Sequence, residues 1–166
     1  MDTRTCLQEL HAAVAAIAPR ALLGLGPEAG AAFAEHAAAH PECVVTALEA
    51  GDWLGAADRL GSFDLVFVRG VLEHLPKGEA VTLLGQLRDR HTRRLYALVP
   101  MGGGWPGHIS VWEQNDLIAL GMERAGICAE SPLPLHLYKF DLHTYKTTPD
   151  WFNSKYWAHP ELWDKF

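Results

Sequence analysis

Two short segments of this 166-residue chain hold the residue types and spacings that could do chemistry. One is Gly24-Leu25-Gly26-Pro27-Glu28-Ala29-Gly30, a glycine-rich turn that follows the apolar run Ala21-Leu22-Leu23. Turns of this kind let backbone N–H groups and the start of the next helix approach an anionic ligand closely. The other is Phe63 to Pro76, an apolar strand that breaks at Arg69-Gly70 and meets the pair Glu73-His74 at a helix entrance. An imidazole titrates near neutral pH and can act as a general base, so His74 is the candidate catalytic residue. A structural alternative is that His74 fastens the strand-to-helix turn by hydrogen bonding. Glu73 reads as a first-turn acid favoured by the helix dipole.

Other candidates are weaker. Glu49 ends a strand 19 residues past Gly30, where an acid can meet a ribose hydroxyl. Asp52-Trp53 offers an acid and a ring for a nucleobase, or simply a helix cap and a core aromatic. His36, His40 and Cys43 place two imidazoles one helical turn apart, as metal sites do. No fourth ligand is near them in sequence, so no metal is expected.

These residues need elements to position them. Thr3–Ala18 carries Leu7, Leu10, Val14 and Ile17 at helical steps and stops at Pro19. Ala21–Leu25 reads as a strand, and an Ala-rich helix then runs to about His40. Cys43–Leu48 and Phe63–Val68 are strands, Lys77–His91 a helix, and Arg94–Val99 a strand ended by Pro100 and three glycines. A helix is predicted from about Glu113 to Ala125, capped by Gly126. Leu133–Leu142 reads as extended, with a slip in its alternation before Phe140 that suggests a bulge. Strands alternating with helices imply βαβ units, hence an α/β fold with a doubly wound, mostly parallel sheet and helices on both faces.

Composition excludes several classes. With 49% apolar and 20% charged residues the chain is an ordinary globular one, large enough to bury roughly 70% of its unfolded surface. A formal charge of −6 argues against a nucleic-acid partner, and Arg88, Arg90, Arg93 and Arg94 read as a solvated helix end. The run Ala12–Ala18 is too short to cross a bilayer and does not resemble a secretory signal, so no membrane partner is expected. Three scattered cysteines, Cys6, Cys43 and Cys128, argue against a disulfide framework and fit a reducing cytoplasm.

The string Phe63-Asp64-Leu65-Val66 with Val71-Leu72-Glu73-His74-Leu75-Pro76 resembles the fourth-strand region of class I S-adenosylmethionine (SAM) dependent methyltransferases. The resemblance implies a Rossmann-like fold of methyltransferase type, with SAM over Gly26–Gly30, Glu49 or Asp52 and Trp53 at adenosine, and Arg69 and His74 beside the donor. In that pattern Gly26 and Gly30 match the outer glycines. Gly24 stands where the family has an acid that holds the SAM ammonium, and Glu28 stands where it has the middle glycine. Only one strand fits between the Ala-rich helix and Phe63 where the family has two, so the domain is trimmed on the adenosine side. Either the second or the third strand is the missing one.

The tail from Tyr145 to Phe166 holds seven aromatics, too many to stay solvated. Its string Asp150-Trp151-Phe152-Asn153-Ser154-Lys155-Tyr156-Trp157-Ala158-His159-Pro160-Glu161 resembles the ending of a small uncharacterised bacterial family of shrunken methyltransferase-like proteins. The expected organisation is a domain over residues 1–143 and an extension, 144–166, docked on it or on a second subunit as a homodimer. The functional expectation is a methyltransferase-fold protein with a damaged SAM loop, non-catalytic or impaired, that binds SAM weakly or not at all. It would act by binding a protein partner or a small molecule. One alternative is an active methyltransferase on a small molecule or protein. A second takes Gly24-x-Gly26-x-x-Ala29 as the fingerprint of a dinucleotide-binding oxidoreductase.

Overall fold

The computed structural model describes residues 6–145 except 50 and 130. Six strands form one sheet in the order β2-β1-β3-β4-β6-β5. These are β1 (Ala21–Leu25), β2 (Val44–Leu48), β3 (Leu65–Arg69), β4 (Arg94–Pro100), β5 (Glu123–Ile127) and β6 (Leu135–Asp141). The first four are mutually parallel, and β6 enters antiparallel between β4 and β5. The α/β, doubly wound expectation is therefore met, with the carboxyl ends of β1 to β4 at one edge.

Alternation along the strands feeds two cores. Leu23, Leu25, Val66, Val68, Leu95, Ala97 and Val99 face one side, where α3 (Trp53–Ala57), α4 (Lys77–Gln86) and α5 (Gln114–Ala119) bury Ala57, Leu83, Leu84 and Leu117. Leu22, Leu65, Phe67, Tyr96 and Leu98 face the other, against Leu10 and Val14 of α1 (Gln8–Ile17) and Phe33. Strands whose two faces are both covered read as near-continuous apolar runs, which is why Leu65–Val68 was legible. At the amino edge, Asp64 Oδ2 accepts from the backbone N–H groups of Arg20 (2.8 Å) and Ala21 (3.0 Å), fixing the start of β3 against β1. Lys139 Nζ of β6 reaches Glu9 of α1 at 2.7 Å, and that hydrogen bond raises the lysine's pKa.

Four expectations change. The Ala-rich segment is a tight turn of 3₁₀ type, Gly30–Phe33, followed by the short helix α2 (Ala34–Ala39). The predicted helix Glu113–Ala125 stops at Ala119, because Gly121 takes φ +80° and turns the chain into the edge strand β5. Gly126 lies inside β5 rather than capping a helix, and the irregularity falls there, between Arg124 and Gly126, while β6 keeps regular register. A Cβ on Gly126 would lie 2.9 Å from the Cys6 carbonyl oxygen, so the missing side chain lets the N-terminal segment close over β5. Finally, Cys6 and Cys128 are joined in a disulfide across 122 residues, leaving Cys43 as a buried free thiol. This corrects the inference from cysteine usage: the two thiols are remote in sequence, and only the packing of α1 beside β5 brings them together. The step from cysteine count to a reducing compartment goes with it.

The strand count also resolves. β2 hydrogen-bonds directly to β1 along its full length. In a doubly wound order the second strand lies beside the first and the third lies outside it. Among the described residues the strand without a counterpart is thus the outer one. Among the described residues β2 is a free edge, with Val44 63% exposed. No helix of the described residues is long and apolar enough to cross a membrane. The last described element is the short helix α6 (Leu142–Tyr145), and the expectations for the aromatic tail lie outside the described residues.

Candidate functional site at the carboxyl edge of the sheet

The glycine turn is built by close packing. Gly26 has φ +107°, its N–H continues the ladder to Leu48 O at 2.7 Å, and a Cβ there would overlap the carbonyl oxygen of Arg69. Only glycine fits, because the turn passes directly over the end of β3. Glu28 is left-handed at φ +63°, a conformation most side chains avoid. The turn therefore keeps the backbone shape that a glycine at this position would adopt with ease. Its carboxylate is 73% exposed and lies 3.4 Å from the Arg69 guanidinium, whose side chain is three-quarters buried.

Gly24 has a reason of its own. It lies in β1, and a Cβ on it would stand 2.5 Å from Gly30 N and 2.7 Å from Gly30 Cα. The chain returning after the turn occupies the space from which any side chain at residue 24 would leave.

Glu49, Asp52 and Trp53, the residues expected at adenosine, follow the carboxyl end of β2. Glu49 and Asp52 are exposed. Asp52 takes the N-cap position of α3 without a side-chain capping bond, its carboxylate lying over Gly55 in the first turn. Trp53 packs partly buried against the core. Both the cap position and the core aromatic suggested as alternatives are thus seen. A groove of about 740 Å³ opens beside Glu28 and Arg69, walled by Leu7, His11 and Glu35.

His74 and Glu73 lie in a tight turn, Leu72–His74, between β3 and α4. The turn is fastened through its backbone: Glu73 O accepts from Ile109 N (2.8 Å), and Leu72 O accepts from Ser110 Oγ (2.9 Å). The His74 ring is half exposed, 3.8 Å from Glu73 Oε1, and edge-on to the ring of His108 at 5.4 Å. His108 escaped the sequence reading. It lies on the loop after β4, and no spacing rule joins it to residues 34 positions earlier. The parallel pairing of β3 and β4 brings both loops to one edge. Conversely, the metal-like spacing of His36, His40 and Cys43 does not gather: the two rings lie 4.3 Å apart with their planes tilted by 38°, while Cys43 is buried. Burial, then the neighbouring His40, lowers the His36 pKa.

Comparison with solved structures shows the same fold. The bifunctional kinase-methyltransferase WbdD shares 15% identity at TM-score 0.58, over 86% of this chain and 40% of that one. This chain thus spans less than half of that protein's length. The methyltransferase domain of bacterial CtHen1-CN shares 12% identity at TM-score 0.57, over 84% of this chain and 99% of the other. Magnesium protoporphyrin IX methyltransferase (ChlM) from Synechocystis PCC 6803, solved with bound S-adenosylhomocysteine (SAH), shares 16% at TM-score 0.50, over 80% of each. The fold is methyltransferase-like, as the resemblance implied. No curated protein matches in sequence. One family model, "Family of unknown function (DUF6231)", matches residues 4–166, and the chain belongs to that family.

Proposed function

We propose that this chain is a methyltransferase-fold protein with an impaired donor site, which acts by binding a small ligand or a protein partner. The observation that carries this reading is the pair of changes in the glycine turn. Gly24 cannot present the acid that would hold an ammonium group, because Gly30 fills the space. Glu28 ion-pairs with Arg69, so the nearest guanidinium is engaged and an anionic group arriving at the turn must compete with a tethered carboxylate. Among the described residues no strand lies outside β2, which leaves one wall of the nucleoside region open and points the same way.

The second reading is an active SAM-dependent methyltransferase, with His74 as base. It is supported by the preserved turn shape at Gly26 and residue 28, and by SAH in relatives of the same fold. Calorimetric titration with SAM and SAH separates the two. A dissociation constant of about 10 μM overturns impairment, and no heat by about 1 mM supports it.

A further inference from the structure

We propose that Glu73, His74 and His108 form a binding site for a divalent transition-metal ion. One donor atom from each side chain can be chosen so that all three lie within 4.8 Å of one another. Metal bonds of about 2.1 Å put donors roughly 3–4 Å apart, so closing the set takes only small side-chain rotations. The half-exposed His74 has room to make them.

Two features indicate a built site rather than a chance meeting. Glu73 is only 6% exposed, and its Oε2 is buried without a hydrogen-bond partner among the described residues. A buried carboxylate oxygen needs a donor or a cation, and here the adjacent groups are two imidazoles that can ligate one. The second feature is the support behind His108. The Trp105 ring stacks on it at 5.5 Å and 11°, while Trp105 Nε1 donates to Met101 O at 3.1 Å. Behind Glu73, Trp112 Nε1 donates to Ser110 Oγ at 2.9 Å, and Ser110 bonds the turn itself. Both ligand-bearing loops are therefore held in register.

A set of two imidazoles and one carboxylate suits zinc, iron, cobalt or manganese, while magnesium and calcium prefer oxygen donors. Three protein ligands leave positions open for water or a bound molecule, at the same sheet edge as the glycine turn. This inference does not rest on whether SAM binds.

The test uses the full chain, stripped with chelator and titrated with Zn²⁺ and Co²⁺ by calorimetry and visible absorption. One saturable site of about micromolar affinity is expected. His74→Ala and His108→Ala, both at positions with solvent access, should each weaken it at least about tenfold, and Glu73→Gln likewise. The double variant His36→Ala/His40→Ala should bind as the wild type does. If Glu73→Gln fails to fold, the two histidine variants decide. The proposal is overturned by no saturable binding up to about 1 mM, by Mg²⁺ binding more tightly than Zn²⁺, or by affinity within about threefold of wild type in His108→Ala. Loss of binding in the His36/His40 variant would also overturn it.

Discussion

The guanidinium of Arg69 and the carboxylate of Glu28 lie 3.4 Å apart, tying the end of β3 to the turn that follows β1. Glu28→Gly should therefore do two things at once. It relieves a left-handed backbone that costs about 1–2 kcal/mol, and it forfeits an ion pair, solvent-exposed on its Glu28 side, worth about 0–1 kcal/mol. Stability in urea should change by less than about 2 kcal/mol, while freed Arg69 should tighten SAH binding at least about tenfold by calorimetry.

Placing an acid at residue 24 should not create a tighter SAM site. Gly24→Asp or Gly24→Ala forces a side chain against the Gly30 backbone, 2.5 Å away. Overpacking of this sort costs about 1–3 kcal/mol, visible as a lower urea midpoint. No gain in SAH affinity should accompany it; a stable, tighter-binding Gly24→Asp protein would show that the 29–30 segment yields easily.

The thiols can be counted. With Cys6 and Cys128 bonded, a thiol reagent should find one free cysteine after unfolding without reductant, and almost none before. Burial, then the nearby Glu42 and Asp64 carboxylates, push the Cys43 thiol up, so it should react slowly in the folded chain. Reducing the disulfide should lower stability by about 2–4 kcal/mol, measured in urea with and without reductant.

Acid should destabilise the fold through His136. Burial first, and then Arg124, lower its pKa below the ordinary 6.5. The unfolded chain then binds more protons than the folded one, so this contribution is complete above about pH 6.5 and is lost as pH falls through the lowered value. His36 acts in the same direction. His136→Phe should flatten the slope of urea stability between about pH 7 and pH 5; an unchanged slope would assign the effect elsewhere.

The parts of the fold that were legible are those where burial on both faces writes apolar runs, such as Leu65–Val68 and Leu95–Val99. The glycine turn was legible because Gly26 admits no substitute. β5 was not, because Leu117, Ile118 and Leu120 continue a helical pattern up to a glycine that turns the chain only through its positive φ. At the site, His74 and the Glu28 departure were read from residue types. His108 was not, since its nearness to Glu73 comes from strand pairing and from the hydrogen bonds of Ile109 and Ser110 to the preceding turn. The expectation for adenosine left Glu49 and Asp52 as alternatives, and both lie exposed beyond the end of β2.

The bond between Cys6 and Cys128 moors the outermost strand, since Cys128 directly follows β5 and Cys6 leads into α1. Sheet margins ordinarily fray first, and their amides exchange with solvent through small local openings. Here separation of β5 from the body must drag the amino-terminal helix with it. Deuterium uptake in Glu123–Ile127 should consequently follow the opening of the whole domain in the oxidised protein, and shift to fast local exchange once the sulfur bond is cut.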